Sequence, residues 1–80
     1  MKLYKLVIES WGETLSEDLY VNKDNALKDA LEYMDRRPYM VERIDSNNVT
    51  VKESEWGVHF YTPNGTQLSD VYIDVVETID

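Results

Sequence analysis

The chain contains no cysteine. That removes disulfide scaffolds, thiol nucleophiles and every cysteine-based zinc or iron–sulfur site, and it fits a reducing, cytoplasmic setting. Glycine occurs three times and proline twice, too sparsely for a P-loop, a dinucleotide-binding glycine motif or a flexible linker. No apolar run approaches the ~20 residues needed to cross a bilayer. The opening MKLYKLVIESW has a short apolar stretch before Glu9 and no small-residue cleavage site, so it reads as a strand and not as a secretion signal. Two Asn-X-Thr sequons, at Asn48 and Asn64, carry no weight in a cytoplasmic chain. Bases are scarce as well: 16 acids stand against 8 Lys and Arg, a net charge of −8, and no base follows Lys52.

This balance argues against direct contact with nucleic acid or an anionic membrane, both of which require a basic footprint. The excess is uneven. Residues 1–22 carry Glu9, Glu13, Glu17 and Asp18 against Lys2 and Lys5, and residues 23–52 are balanced. The final segment carries Glu53, Glu55, Asp70, Asp74, Glu77 and Asp80 with no base at all. An acidic chain with such an end points to a basic protein as partner.

With 80 residues, 42% of them hydrophobic, and no repeat or linker, residues 1–80 read as one domain. KLYKLVIES over 2–10 predicts a strand whose middle is covered on both faces. LSEDLYV over 15–21 predicts a second strand with Leu15, Leu19 and Val21 toward the core and Ser16, Asp18 and Tyr20 away from it. Ala26, Leu27, Ala30, Leu31 and Met34 recur at helical spacing, with Asp24 as the expected N-cap and Pro38 as the stop. Glu32 and Arg36 stand at i, i+4 on the outer face of that helix. YMVERI, VTVKES, EWGVHFYT and QLSDVYIDVVETI are further strand candidates, the first short and dispensable. Pro63-Asn64-Gly65-Thr66 is the strongest turn signal, whereas Glu53 to Trp56 fits either a turn or a bent strand. One helix cannot cover two sheets, so the expected fold is α+β: a single antiparallel sheet of four to six strands with the helix on one face, in the order β-β-α-β-β-β.

Strand parity places Trp56, Val58 and Phe60 with Val71, Ile73 and Val75 beneath the helix. The opposite side then shows His59, Tyr61, Asp70, Tyr72 and Asp74, joined by Asp18 and Tyr20 if the second strand lies in the same sheet. Tyrosine offers broad amphipathic contact and carboxylates select a basic partner, so these seven residues are the candidate partner-binding set. The same pattern also fits a solvated sheet in which aspartates discourage edge pairing. Arg36 and Arg37, with Arg43 further on, suit either an anion or the C-terminal end of the helix dipole. Trp11, Tyr4, Tyr33 and Tyr39 fit the rim of the core.

Catalysis finds little support. His59 is the sole histidine, and although Asp70 or Asp74 beside it or Ser54 or Ser69 as nucleophile can be drawn, nothing sets them in a pocket. No calcium-loop spacing is present and neither a metal nor a cofactor is expected. In size, charge and element order the chain resembles the small acidic inhibitors that phages encode against host defence, the anti-CRISPR, anti-restriction and DNA-mimic proteins. It also looks like the acidic immunity proteins that neutralise basic toxins. The first resemblance implies a protein without enzymatic activity, acting in the host cytoplasm, that covers a basic channel of a nucleic-acid-binding complex. A self-associating module, monomer or homodimer with an open sheet edge, is the alternative of a different class.

Overall fold

The computed structural model describes residues 1–10, 12–36 and 47–79. Trp11, the Arg37, Pro38 and Tyr39 positions, the strand candidate over 39–44 with Arg43, and Asp80 lie outside the described residues. The chain opens with two antiparallel strands, β1 (Lys2–Ser10) and β2 (Glu13–Tyr20), followed by a helix, α1 (Lys23–Asp35). Three strands complete the described chain: β3 (Thr50–Ser54), β4 (Gly57–Tyr61) and β5 (Val71–Glu77). They form one antiparallel sheet in the order β2-β1-β5-β4-β3. This is the α+β architecture expected, with five strands among the described residues.

First and last strands meet at the centre. β1 pairs with β5 from Lys2↔Glu77 to Ile8↔Val71, which explains the continuous apolar run of β1. Leu6 and Ile8 face α1 while Val7 faces the other way, and all three are at most 8% exposed. The helix lays Ala26, Ala30 and Met34 on Leu6, Val58, Phe60, Val71 and Ile73. Alanine at two of the three contact positions removes bulk between backbone and sheet, letting α1 sit close to Phe60 and Ile73, both fully buried. Tyr4, Leu27 and Tyr33 pack around this core as partly buried rim residues.

The helix begins earlier than its acidic residues imply. Asn22, extended at φ −109°, is the N-cap, and its side-chain oxygen accepts the Asp24 N–H at 2.8 Å. Asp24 is therefore in the first turn, where its charge meets the positive end of the dipole. At the other end the Arg36 N–H reaches the Glu32 and Tyr33 carbonyls, each at 3.2 Å.

The two hairpins of the C-terminal half differ from expectation in an instructive way. Glu55 and Trp56 form a turn between the paired residues Ser54 and Gly57. Trp56 is consequently at the tip and 75% exposed, not in the core. The residue that permits this is Gly57, because a Cβ there would collide with the Ile73 carbonyl oxygen of β5. In the second hairpin, Thr62 and Thr66 close the turn around Gly65 (φ 87°), with the Thr62 N–H on the Thr66 carbonyl at 2.8 Å. Tyr61 bridges to Gln67, but β4 and β5 pair in a different register, Gly57↔Asp74 and Val58↔Ile73. The chain between absorbs the slack and uses it to bury Leu68. β5 therefore starts at Val71, later than the sequence pattern implies.

β2 faces the opposite way from its predicted orientation. Its register with β1, Tyr4↔Tyr20, Leu6↔Asp18 and Ile8↔Ser16, puts Ser16, Asp18 and Tyr20 on the helix side. Leu19 is left on the open side at 60% exposed, with Leu15 at 61% beside the register shift and Val21 at 68% beyond the strand. The short connection through Gly12 and that shift, between Ile8 and Glu9, set which row turns inward. The buried residues of the core come from β1, β4, β5, α1 and Leu68, and β2 adds only Tyr20, partly buried against them.

Candidate functional site

The sheet face away from α1 collects His59 and Tyr61 from β4 with Tyr72 and Asp74 from β5, each half-buried. Asp70 lies just before β5, where its carbonyl accepts the Glu9 N–H at 2.8 Å. This face is not uniformly acidic. Asp74 stands opposite Lys5 in the β1–β5 ladder, and His59 stands opposite Lys52 in the β3–β4 ladder. The Lys52 ammonium sits over the Tyr61 ring, 4.7 Å from its centre. The Tyr72 hydroxyl donates to Glu9 at 2.8 Å. That bond, partial burial and the charges of Glu9, Asp74 and Glu17 push its phenol up from 10.0 to about 12.

The fold also compensates acids of the C-terminal segment. Glu77 stands opposite Lys2, and Glu53 accepts from the Lys23 ammonium at 2.9 Å across from β3 to the first turn of α1. Opposite charges across a ladder are mildly favourable. Asp74, Glu77 and Glu53 thus each have a lysine facing them, all three supplied by the N-terminal half.

A second concentration of acid lies elsewhere. β2 carries Glu13, Glu17 and Asp18 and no base. The helix beside it adds Asp29 and Glu32, and between β2 and α1 runs an open groove of about 340 Å³ floored by Leu6 and Ile8. Its walls are Asp18 and Tyr20 from the strand and Asp29, Glu32, Tyr33 and Arg36 from the helix. The Tyr20 hydroxyl donates to Asp29 at 2.6 Å, locking strand to helix, and the Ser16 hydroxyl donates to Asp18 at 3.0 Å. Hydrogen bonding to Asp29, with partial burial and the Asp29 and Asp18 charges, pushes the Tyr20 phenol up to about 12.

Asp18 and Tyr20 are therefore separated by the whole sheet from His59, Tyr61, Tyr72 and Asp74, and the predicted set divides between two surfaces. Sequence reading placed Glu32 and Arg36 on the outer face of the helix and gave Asp29 no part in the candidate set. Their spacing beside the apolar stripe, with Tyr33 at i+4 from Asp29, is the signal that places them along one wall. Among the described residues no three acidic or histidine side chains converge to hold a metal ion, and no helix is long and apolar enough to cross a membrane. Comparison with protein-family models, curated proteins and solved structures returns no match for this chain.

Proposed function

We propose that the chain is a non-enzymatic acidic binding protein, an inhibitor of the anti-CRISPR or anti-restriction kind that covers a basic surface of a nucleic-acid-binding protein. The observation that carries this reading is the acid of β2, Glu13, Glu17 and Asp18, together with Asp29 and Glu32 on the helix wall of the adjoining groove, where Arg36 is the one base among the described lining residues. Such a surface speeds encounter with a basic partner and loses strength as salt rises. It offers Tyr20 and Tyr33 as amphipathic contact area alongside the charges.

The same groove is poorly suited to acid–base chemistry. Tyr20 is held protonated to about pH 12 by Asp29, far from the near-neutral value a general base or nucleophile needs. The groove is open along its length, and an open site neither excludes water nor fixes a reacting group.

The test is affinity capture from host lysate at low and high salt, followed by a nucleic-acid binding assay on what is recovered. The expected result is a basic protein, released by salt, that loses nucleic-acid binding as this chain is added in stoichiometric amount. Recovery of neutral or acidic proteins alone, unaffected by salt, contradicts the reading.

A further inference from the structure

We infer that the outer edge of β2 is a strand-addition site whose occupant is an extended segment of the partner with basic and apolar side chains in alternation. The inference rests on the binding reading above and specifies the form of the partner. β2 is the last strand on its side of the sheet, and among the described residues none lies beyond it. Over its 8 residues alternate backbone N–H and C=O groups point outward, ready to pair with another strand about 4.8 Å away.

The two rows of β2 state what each side of that strand must be. On the helix side are Ser16, Asp18 and Tyr20, beside the groove that also holds Asp29 and Glu32. Residues of an added strand pointing this way meet carboxylates, so lysine or arginine fits. On the open side Leu19 is exposed in the strand, with Leu15 exposed at the bulge. Residues pointing that way meet the two leucines with Glu17, opposite Val7, between them, so valine, isoleucine or leucine fits at the ends of the row and a basic side chain at its middle. Main-chain bonds then supply affinity and the alternating rows supply selectivity.

A second copy is a poor occupant. β2 carries three acids and no base, so pairing it with itself would double the negative charge along one edge with no base on either strand to offset it. The opposite edge, β3, is 5 residues long and includes both Lys52 and Glu53, so it presents neither uniform charge nor an exposed aliphatic pair.

The test uses a synthetic peptide of β2's length alternating lysine and valine, its glutamate–valine counterpart, and the lysine–valine peptide N-methylated at alternate residues to block pairing. Hydrogen exchange and amide shifts of the whole protein are followed. The lysine–valine peptide is expected to bind and protect amides of Glu13–Tyr20, the N-methylated form to bind about tenfold more weakly, and the glutamate form not to bind. Leu19→Lys, at an exposed position, should weaken the lysine–valine peptide without lowering the melting temperature. Equal binding of the N-methylated peptide, protection confined to Thr50–Ser54, absence of binding, or a peptide-free dimer with β2 protected would each overturn the edge site. Salt-dependent retention of the protein on immobilised polylysine reports separately on the broader binding reading, which stands or falls by that result.

Discussion

LSEDLY in β2 and VYIDVV in β5 both interleave tyrosine and carboxylate with aliphatic residues, yet Ile73 of β5 is fully buried while Leu19 of β2 is 60% exposed. The difference lies in what flanks each strand. β5 has β1 on one side and β4 on the other, with α1 laid on its aliphatic row. Among the described residues β2 has a neighbour on one side only. The same contrast governs charge: the ladder sets Lys5 opposite Asp74 and Lys2 opposite Glu77, whereas β2 contains no base and pairs Glu17 with Val7 and Asp18 with Leu6. Neighbouring sequence does not show which acidic strand has lysines opposite it in the sheet. Position in the sheet does.

The largest effect expected from breaking this comparison is on stability. Ile73→Ala should cost about 3–4 kcal/mol by cavity formation in the core, while Leu19→Ala should stay within about 0.5 kcal/mol. Urea denaturation of the two variants checks the pair, and comparable losses would show that β2 is covered after all. Next comes Gly57→Ala, where the new methyl meets the Ile73 carbonyl and β4 must move away from β5. A loss of about 2–3 kcal/mol is expected, and an unchanged urea midpoint would contradict the close strand approach.

A smaller and more selective effect is the ionisation of two phenols. Tyr20 and Tyr72 are both raised from 10.0 to about 12 in the folded chain. Below pH 10 both folded and unfolded chains keep these protons, so the stabilisation is complete there. As pH rises from 10 toward 12 the unfolded chain releases them first, and stability falls across that window. Phenolate absorbance should show two late-titrating tyrosines. Asp29→Asn should return Tyr20 toward its ordinary value and leave Tyr72 unmoved, and Glu9→Gln should do the reverse. A simultaneous change in both would mean that the groove and the open face are not independent.

Periodicity carried much of this fold in the sequence. Ala26, Ala30 and Met34 announced the buried side of α1, and the alternation of Val58 and Phe60 with Val71 and Ile73 announced the core-facing row of the last two strands. β2 was not legible in the same way, because its aliphatic row is the exposed one. Its facing follows from the Gly12 connection and the register shift beside Ile8 and Glu9, neither of which alters the local hydrophobic pattern. Trp56 was misplaced because the glycine of its turn comes after it, at Gly57, and is required by the passing β5 backbone and not by the turn alone. The groove joins Tyr20 to Asp29, residues on a strand and a helix, through a contact that helix packing creates and no single-segment pattern displays. The lysine pairings of Asp74 and Glu77 were hidden for the same reason: they join the two ends of the chain.

The most direct test of the claim that binding charge resides at β2 and not on β5 is the affinity of polylysine for two charge-reversal variants, Asp18→Lys and Asp74→Lys. Asp18→Lys is predicted to weaken binding about tenfold with stability retained. Asp74→Lys is predicted to bind like the parent chain while losing up to about 1 kcal/mol of stability, because it sets a second lysine opposite Lys5. Weakened binding in Asp74→Lys alone, with Asp18→Lys unaffected, would contradict the account.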